Sequence, residues 1–390
     1  MSGPGLTPGD GHAPDDSQTP GVAPGVTPGA TPGATPGATP GVRRIRALLV
    51  GFGSTNRSVL ELALTRPWLE VVGIVVRSPE REGESAASRV VGAPAGLRCS
   101  TDLAGTLRTT RPDVVVVATA TRLVDILPVL AAIAPSGAPI VCTAEDLAFI
   151  RWGDSPEAAA IIELATAHRI AIVATGANPG FVLDLWPLTL SGLAWDVERL
   201  RARRVVDVSV FGSRVRASLG IDLTPAAFEA GIADGSVVGH AGFPESLRIL
   251  AASMGRELDR VEVISEPILA EAALTLPDGE VIQPGRTAGA NQRATGWFAG
   301  QPWLEVSMSL HVDPAAAGLT TTDRIELDGR HNLRVEVDPG CRALMSTAAM
   351  IVNGLPRAIA APPGVHRPGD LPPVAPWLGD LPPPWVPLRR

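Results

Sequence analysis

A chain of 390 residues with 45% hydrophobic and 19% charged residues has globular composition, and its length points to two cores, since one core seldom grows past about 250–300 residues. The formal net charge of −7 argues against non-specific binding to nucleic acid or to an anionic membrane as the purpose. Neither lysine nor tyrosine occurs, so all 33 basic residues are arginine, and a Schiff-base lysine, a Walker-type lysine and a tyrosine–lysine acid/base pair are all excluded.

Residues 1–42 are a Pro/Gly/Thr/Ala tail in which a Thr-Pro-Gly unit recurs every four residues from Thr27 to Gly41. With almost no large side chain to bury, it is expected to be disordered. The folded part begins at Arg43. Apolar runs at 45–50, 69–76, 114–119, 139–142 and 170–174 alternate with helical patterns at 55–65, 102–109, 122–134 and 156–168. Continuous apolar strands between amphipathic helices predict a parallel sheet covered on both faces, a doubly wound α/β fold of the Rossmann type over 43–185. From 186 to 340 the strands are longer and partly alternating, at 203–211, 261–264, 270–276, 303–312, 323–327 and 333–337, with a Gly-rich loop before Trp297. That pattern predicts an α+β domain on a mostly antiparallel sheet, for substrate binding and dimerisation. Residues 341–362 are read as a helix returning to the first domain, and 363–390 as an irregular Pro-rich tail. The three cysteines, Cys99, Cys142 and Cys341, are far apart and show no metal spacing. A reduced, cytoplasmic, metal-free protein is expected.

Gly51-Phe52-Gly53-Ser54-Thr55-Asn56 follows the first strand and opens the first helix. The first glycine permits the tight turn, and the second lets a pyrophosphate approach the amides of the helix N-terminus. Asn56 stands where the fingerprint has its third glycine. The second strand ends in Arg77-Ser78, with Arg81 a turn later, and not in the acid that receives a ribose hydroxyl. Arginine and serine suit a 2′-phosphate, so NADP is the expected cofactor, with NAD the alternative. Ala118, Thr119 and Ala120 end the next strand with side chains small enough to let the cofactor pass. The following strand delivers Glu145-Asp146. A carboxylate facing an apolar pocket can exchange protons near neutrality, which makes Glu145 the candidate acid/base; Asp146 is read as supporting the N-terminus of the next helix. Asn178-Pro179-Gly180 is a fixed turn at the same sheet edge, placed to press on a nicotinamide ring. Phe181, Trp297 and His240 are candidate pocket residues, and Trp152, Trp186 and Phe298 are further aromatic walls.

Taken together, Gly51-Phe52-Gly53, Ala144-Glu145-Asp146-Leu147 and Gly176-Ala177-Asn178-Pro179-Gly180-Phe181 resemble the 2,4-diaminopentanoate dehydrogenase and native amine dehydrogenase family, whose N-terminal domain is similar to that of dihydrodipicolinate reductases. Gly242-Phe243-Pro244-Glu245-Ser246-Leu247, Arg286-Thr287-Ala288-Gly289 and residues 348–356 add to the resemblance, which spans about 43–365. It implies NAD(P)-dependent oxidative deamination of an amine, or reductive amination of a carbonyl compound with ammonium, and Glu145 matches the family's catalytic glutamate. A homodimer is expected. Two other readings are a cyclic imine reductase like dihydrodipicolinate reductase, and a non-catalytic NADP-binding regulator or scaffold.

Overall fold

A computed structural model describes residues 43–388, and the repeat tail expected over 1–42 lies outside them. The first half alternates strand and helix: β1 (Ile45–Val50), α1 (Ser54–Ala63), β2 (Leu69–Val75), β3 (Cys99–Ser100), α2 (Leu103–Thr110), β4 (Val114–Val117), α3 (Leu123–Ile133), β5 (Ile140–Cys142), α4 (Pro156–Ala167) and β6 (Ala171–Ala174). These strands pair in parallel in the order β6-β5-β4-β1-β2-β3. Val114 to Val117 are fully buried, with α9 (Ala343–Ala360) against one face of the sheet and α2 and α3 against the other. Burial on both faces is why the run carries no polar alternation.

The second half contains α5 (Leu185–Ser191), β7 (Arg199–Asp207), α6 (Ser213–Ser218), α7 (Pro225–Asp234), α8 (Phe243–Ser253), β8 (Arg260–Leu269), β9 (Leu274–Thr275), β10 (Val281–Ile282), β11 (Thr287–Phe298), β12 (Gln301–His311), β13 (Thr322–Asp328) and β14 (Leu333–Val337). Six of these strands form a sheet in the order β14-β13-β7-β12-β11-β8. All its pairs are antiparallel except β12 with β7. Residues alternate along β7 and β13, so one sheet face is buried against α8 while the other carries ion pairs such as Arg201 with Asp328 at 2.7 Å. The loop expected before Trp297 is instead β11, the longest strand of the sheet. Its Gly, Ala and Asn content is poor for a strand, but Ala288 and Ala294 are buried in the core that α8 closes and Ala290 against Phe228 of α7, so tertiary contact overrides propensity.

The last helix, α9, lies against α1 with Ile351, Val352 and Leu355 buried. Among the described residues it is the one helix long and apolar enough to cross a membrane, and its buried face is that of a core helix. The Pro-rich segment after it is not irregular throughout. Gly364–His366 forms β15, a seventh parallel strand beside β6. Farther on, the Trp377 carbonyl accepts the Trp68 indole N–H at 2.9 Å, and Arg357 lies over the Trp385 ring at 4.3 Å.

Candidate active site

The site sits at the carboxyl edge of the parallel sheet, where open α/β sheets bind ligands. β5 ends at Cys142 and the chain turns into a single 3-10 turn, Glu145–Ala148. The Gly242 N–H donates to Glu145 Oε2 at 2.7 Å, and His240 Nδ1 lies 3.3 Å from the same oxygen. The Nδ1 approach is a close contact and not a hydrogen bond, so it leaves both ring nitrogens free to donate or accept. Nε2 is buried with no partner among the described residues. Burial holds the His240 pKa below its usual value against the attraction of Glu145, and Arg204 adds to the lowering, so the ring is neutral at neutral pH.

Asn178 follows β6, and its Oδ1 is a buried acceptor without a partner among the described residues. The turn that carries it is clamped from two sides. Thr347 of α9 accepts the Ala177 N–H at 3.2 Å, and buried Asp184 accepts the Gly180 N–H at 2.9 Å and the Ser246 hydroxyl at 2.9 Å. Asp146 does not support the helix that follows it. Its Oδ2 faces the Leu123 N–H at 3.4 Å, at the start of α3, because the 3-10 turn folds back over that helix end.

Glu145, His240 and Asn178 line one cavity of about 650 Å³. Val206, Phe211, Leu219, Met308 and Leu310 supply its apolar wall, and Arg204 interrupts that wall. The Arg204 side chain is 1% exposed, donating from Nε to Asp323 Oδ1 at 2.6 Å and from Nη2 to the Cys341 carbonyl at 2.6 Å. Its Nη1 makes no hydrogen bond among the described residues. The cavity thus has the Glu145 carboxylate and the unpartnered Asn178 Oδ1 at one wall, and the Arg204 guanidinium with its free Nη1 at another. This suits a ligand with an ammonium group and an anionic group. A larger cleft of about 1060 Å³ lies by Arg43, Arg46 and Arg111, at the opposite edge of the sheet, and none of these acceptors reaches it.

The residues after β1 fit a dinucleotide. A Cβ on Gly51, whose φ is +86°, would meet the Ala118 carbonyl oxygen at 2.5 Å, so β1 and β4 approach as closely as backbone allows. A Cβ on Gly53 would meet nothing within 4 Å, leaving room beside the first turn of α1. No side chain caps that helix end, so its amides can receive an anion. Asn56 closes the turn by donating to the Gly51 and Val50 carbonyls at 2.7 and 3.0 Å, a role no third glycine could fill. Arg77 is exposed at the tip of β2. Ser78 is bonded there to Glu80, a carboxylate two residues farther along the chain, and Arg81 donates to the Phe52 carbonyl at 3.2 Å.

Two expected pocket residues lie elsewhere. Phe181 stacks on Trp186, 6.4 Å between ring centres, outside the cavity lining. Trp297 is five residues along β11 from Gln292, which accepts the His240 N–H, a strand distance of about 17 Å. There it lies under the Arg260 guanidinium at 3.8 Å. Trp152 is 68% exposed, and Trp186 and Phe298 pack against the second core. The signal missed for Arg204 is its phase: it alternates with Leu200, Ala202 and Val206 on the inward face of β7, and an inward arginine on an apolar face is unusual.

The family described as the 2,4-diaminopentanoate dehydrogenase C-terminal domain matches residues 181–383. A 2,4-diaminopentanoate dehydrogenase of Acetoanaerobium sticklandii is 26% identical over 87% of this chain and 97% of its own. An amine dehydrogenase of Streptomyces virginiae is 22% identical over 86% and 98%. The solved structure of an amine dehydrogenase from Mycobacterium smegmatis superposes with a TM-score of 0.76 at 25% identity, covering 85% of this chain and 97% of that one.

Proposed function

This chain belongs to the 2,4-diaminopentanoate dehydrogenase family of nicotinamide-dependent amine oxidoreductases, and on that premise we propose that it interconverts an amine bearing a carboxylate with the corresponding oxo acid and ammonium. The observation that carries the substrate class is the two-ended cavity, with the Glu145 carboxylate and the unpartnered Asn178 Oδ1 at one end and the Arg204 guanidinium at the other. A nicotinamide held beside this cavity supplies the two-electron acceptor or donor. Gly51, Phe52, Gly53, Ser54, Thr55 and Asn56 hold the pyrophosphate, Ala118, Thr119 and Ala120 leave its path open, and the Asn178-Pro179-Gly180 turn backs the ring.

The protein's own part is proton and charge management. Glu145 attracts the substrate ammonium, takes its proton, and later removes a proton from the attacking water. Neutral His240 can exchange a hydrogen bond with the substrate without competing for positive charge. The apolar wall excludes bulk water, which strengthens each of these contacts. The test is a panel of amines, with and without a carboxylate, assayed by cofactor reduction. Carboxylate-bearing amines are expected to lead in kcat/KM. Arg204→Met is expected to cost them about 10- to 100-fold in kcat/KM, mostly in KM, while sparing simple amines. Equal losses for both classes would remove Arg204 from substrate recognition.

Arg77 and Ser78 are proposed to hold the 2′-phosphate of NADP. Arg77→Asp is expected to raise the KM for NADPH by about tenfold or more and leave NADH within about twofold, as loss of one charge-assisted hydrogen bond implies. Glu80 beside Ser78 works against the phosphate, so equal changes for both cofactors would argue for NAD. The open face of the six-stranded sheet is the proposed homodimer contact, and sedimentation at twice the chain mass is the check.

A further inference from the structure

α8 begins at Phe243 with Gly242 as its N-cap, and no side chain caps it. Glu145 occupies one of the open positions there by accepting the Gly242 N–H. Glu245 is on the first turn of the same helix, with its side chain 12% exposed. The 3-10 turn packed on α8 brings Asp146 as well. Two carboxyl groups, Glu145 and Glu245, therefore meet at this helix end, while the Asp146 carboxyl faces the start of α3 beside it. An exposed Glu245 would be an ordinary partner of the helix dipole. A buried one that shares its helix end with Glu145 cannot ionise freely. Burial pushes its carboxyl up to about 7 against its own backbone N–H and Arg248, 3.4 Å away, and the charges of Asp146 and Glu145 add smaller pushes in the same direction as burial. Asp184 faces the adjacent Ser246 and is occupied there.

The chemistry proposed for Glu145 leaves a gap that this neighbour fills. In oxidative deamination one carboxylate must take a proton from the ammonium and then another from water, with no donation between. We propose that Glu245 stores the first proton that Glu145 removes, returning Glu145 to the carboxylate form before water attacks. This inference rests on the amine dehydrogenase reading above. The substrate N–H bond breaks and its proton passes to Glu145. The C–H electron pair then leaves for the nicotinamide as a C=N bond forms, and Glu145 hands its proton to Glu245. Water adds to the iminium carbon, the C=N π pair returns to nitrogen, and the released proton goes to Glu145. That proton moves to the nitrogen. The hydroxyl proton follows it by way of Glu145 as the C–N bond breaks, and ammonium leaves. The first proton is still on Glu245 and is the one H⁺ released per turnover, so atoms and charge balance.

Glu245 must be ionised to receive that proton, so the wild-type kcat for oxidation is expected to rise with pH through about 7. Glu245→Gln is expected to lower kcat at pH 8 roughly tenfold and flatten this limb, with the amine KM within about twofold. Glu245→Asp restores the limb, which a purely structural loss would not allow. Infrared titration of the folded protein, read without turnover, is expected to show a carboxylic acid band that ionises near pH 7 and is missing in Glu245→Gln. Absence of the band from the wild type overturns the proposal. So does a pH profile unchanged by Glu245→Gln in an active enzyme. A wild type inert toward every amine overturns the functional reading, and this inference falls with it.

Discussion

Glu145→Gln is expected to cost about 10²–10⁴-fold in kcat, the range of a lost general base, while NADPH binding stays within about twofold. The amide is isosteric, and its oxygen can still accept the Gly242 N–H that positions Glu145 Oε2 at 2.7 Å, so the cavity keeps its shape. What disappears is the negative charge that attracts an ammonium and the site that holds its proton. Cofactor affinity should survive because Gly51, Gly53 and the first turn of α1 belong to a different part of the sheet edge. Fluorescence titration with NADPH, run beside steady-state kinetics, separates the two. Full turnover in Glu145→Gln would end the proposed mechanism. Loss of cofactor binding in parallel would make Glu145 a structural residue.

The first domain was readable because its strands are buried on both faces, and burial of that kind selects unbroken apolar runs such as Val114 to Val117. Its turn after β1 was readable for a related reason: the close approach of Gly51 to Ala118 demands a glycine. The second domain hid its longest strand. β11 is built of small residues whose use is to let α8 and β12 come near, and a single sequence does not reveal what packs against it. The same blindness placed Trp297 in the pocket, since a residue after a supposed loop could be anywhere. Glu145 and His240, 95 positions apart in the numbering, became neighbours only through the packing of α8 on the 3-10 turn. Arg204 did carry a signal, its phase with the apolar residues of β7, but its partner Asp323 is 119 positions away and only the pairing of β7 with β13 brings them together.

Gly242→Ala is expected to lower kcat about 100-fold and stability by about 1–3 kcal/mol, although it adds a single methyl group. Backbone strain is not the cause, because φ −78° and ψ 13° at this residue are open to alanine. Space is the cause. A Cβ here would sit 2.4 and 2.5 Å from the Pro179 ring carbons and 3.3 Å from Glu145 Cβ, so it would push on the Asn178 turn and on the acid/base at once. Neither neighbour has slack. Asp184 and Thr347 clamp the turn, and Glu145 is tied to the very amide that would move. Relief comes only if α8 withdraws from the 3-10 turn, which lengthens the Gly242 N–H contact and carries the Glu145 carboxylate off its position. Displacement of a reacting group by about 1 Å is enough for the expected loss. Thermal unfolding and kcat measured on the same preparation check this, with NADPH affinity as the control. A variant as active as the wild type would mean that the contact between α8 and the Asn178 turn opens and closes freely, and that Glu145 is not held by it.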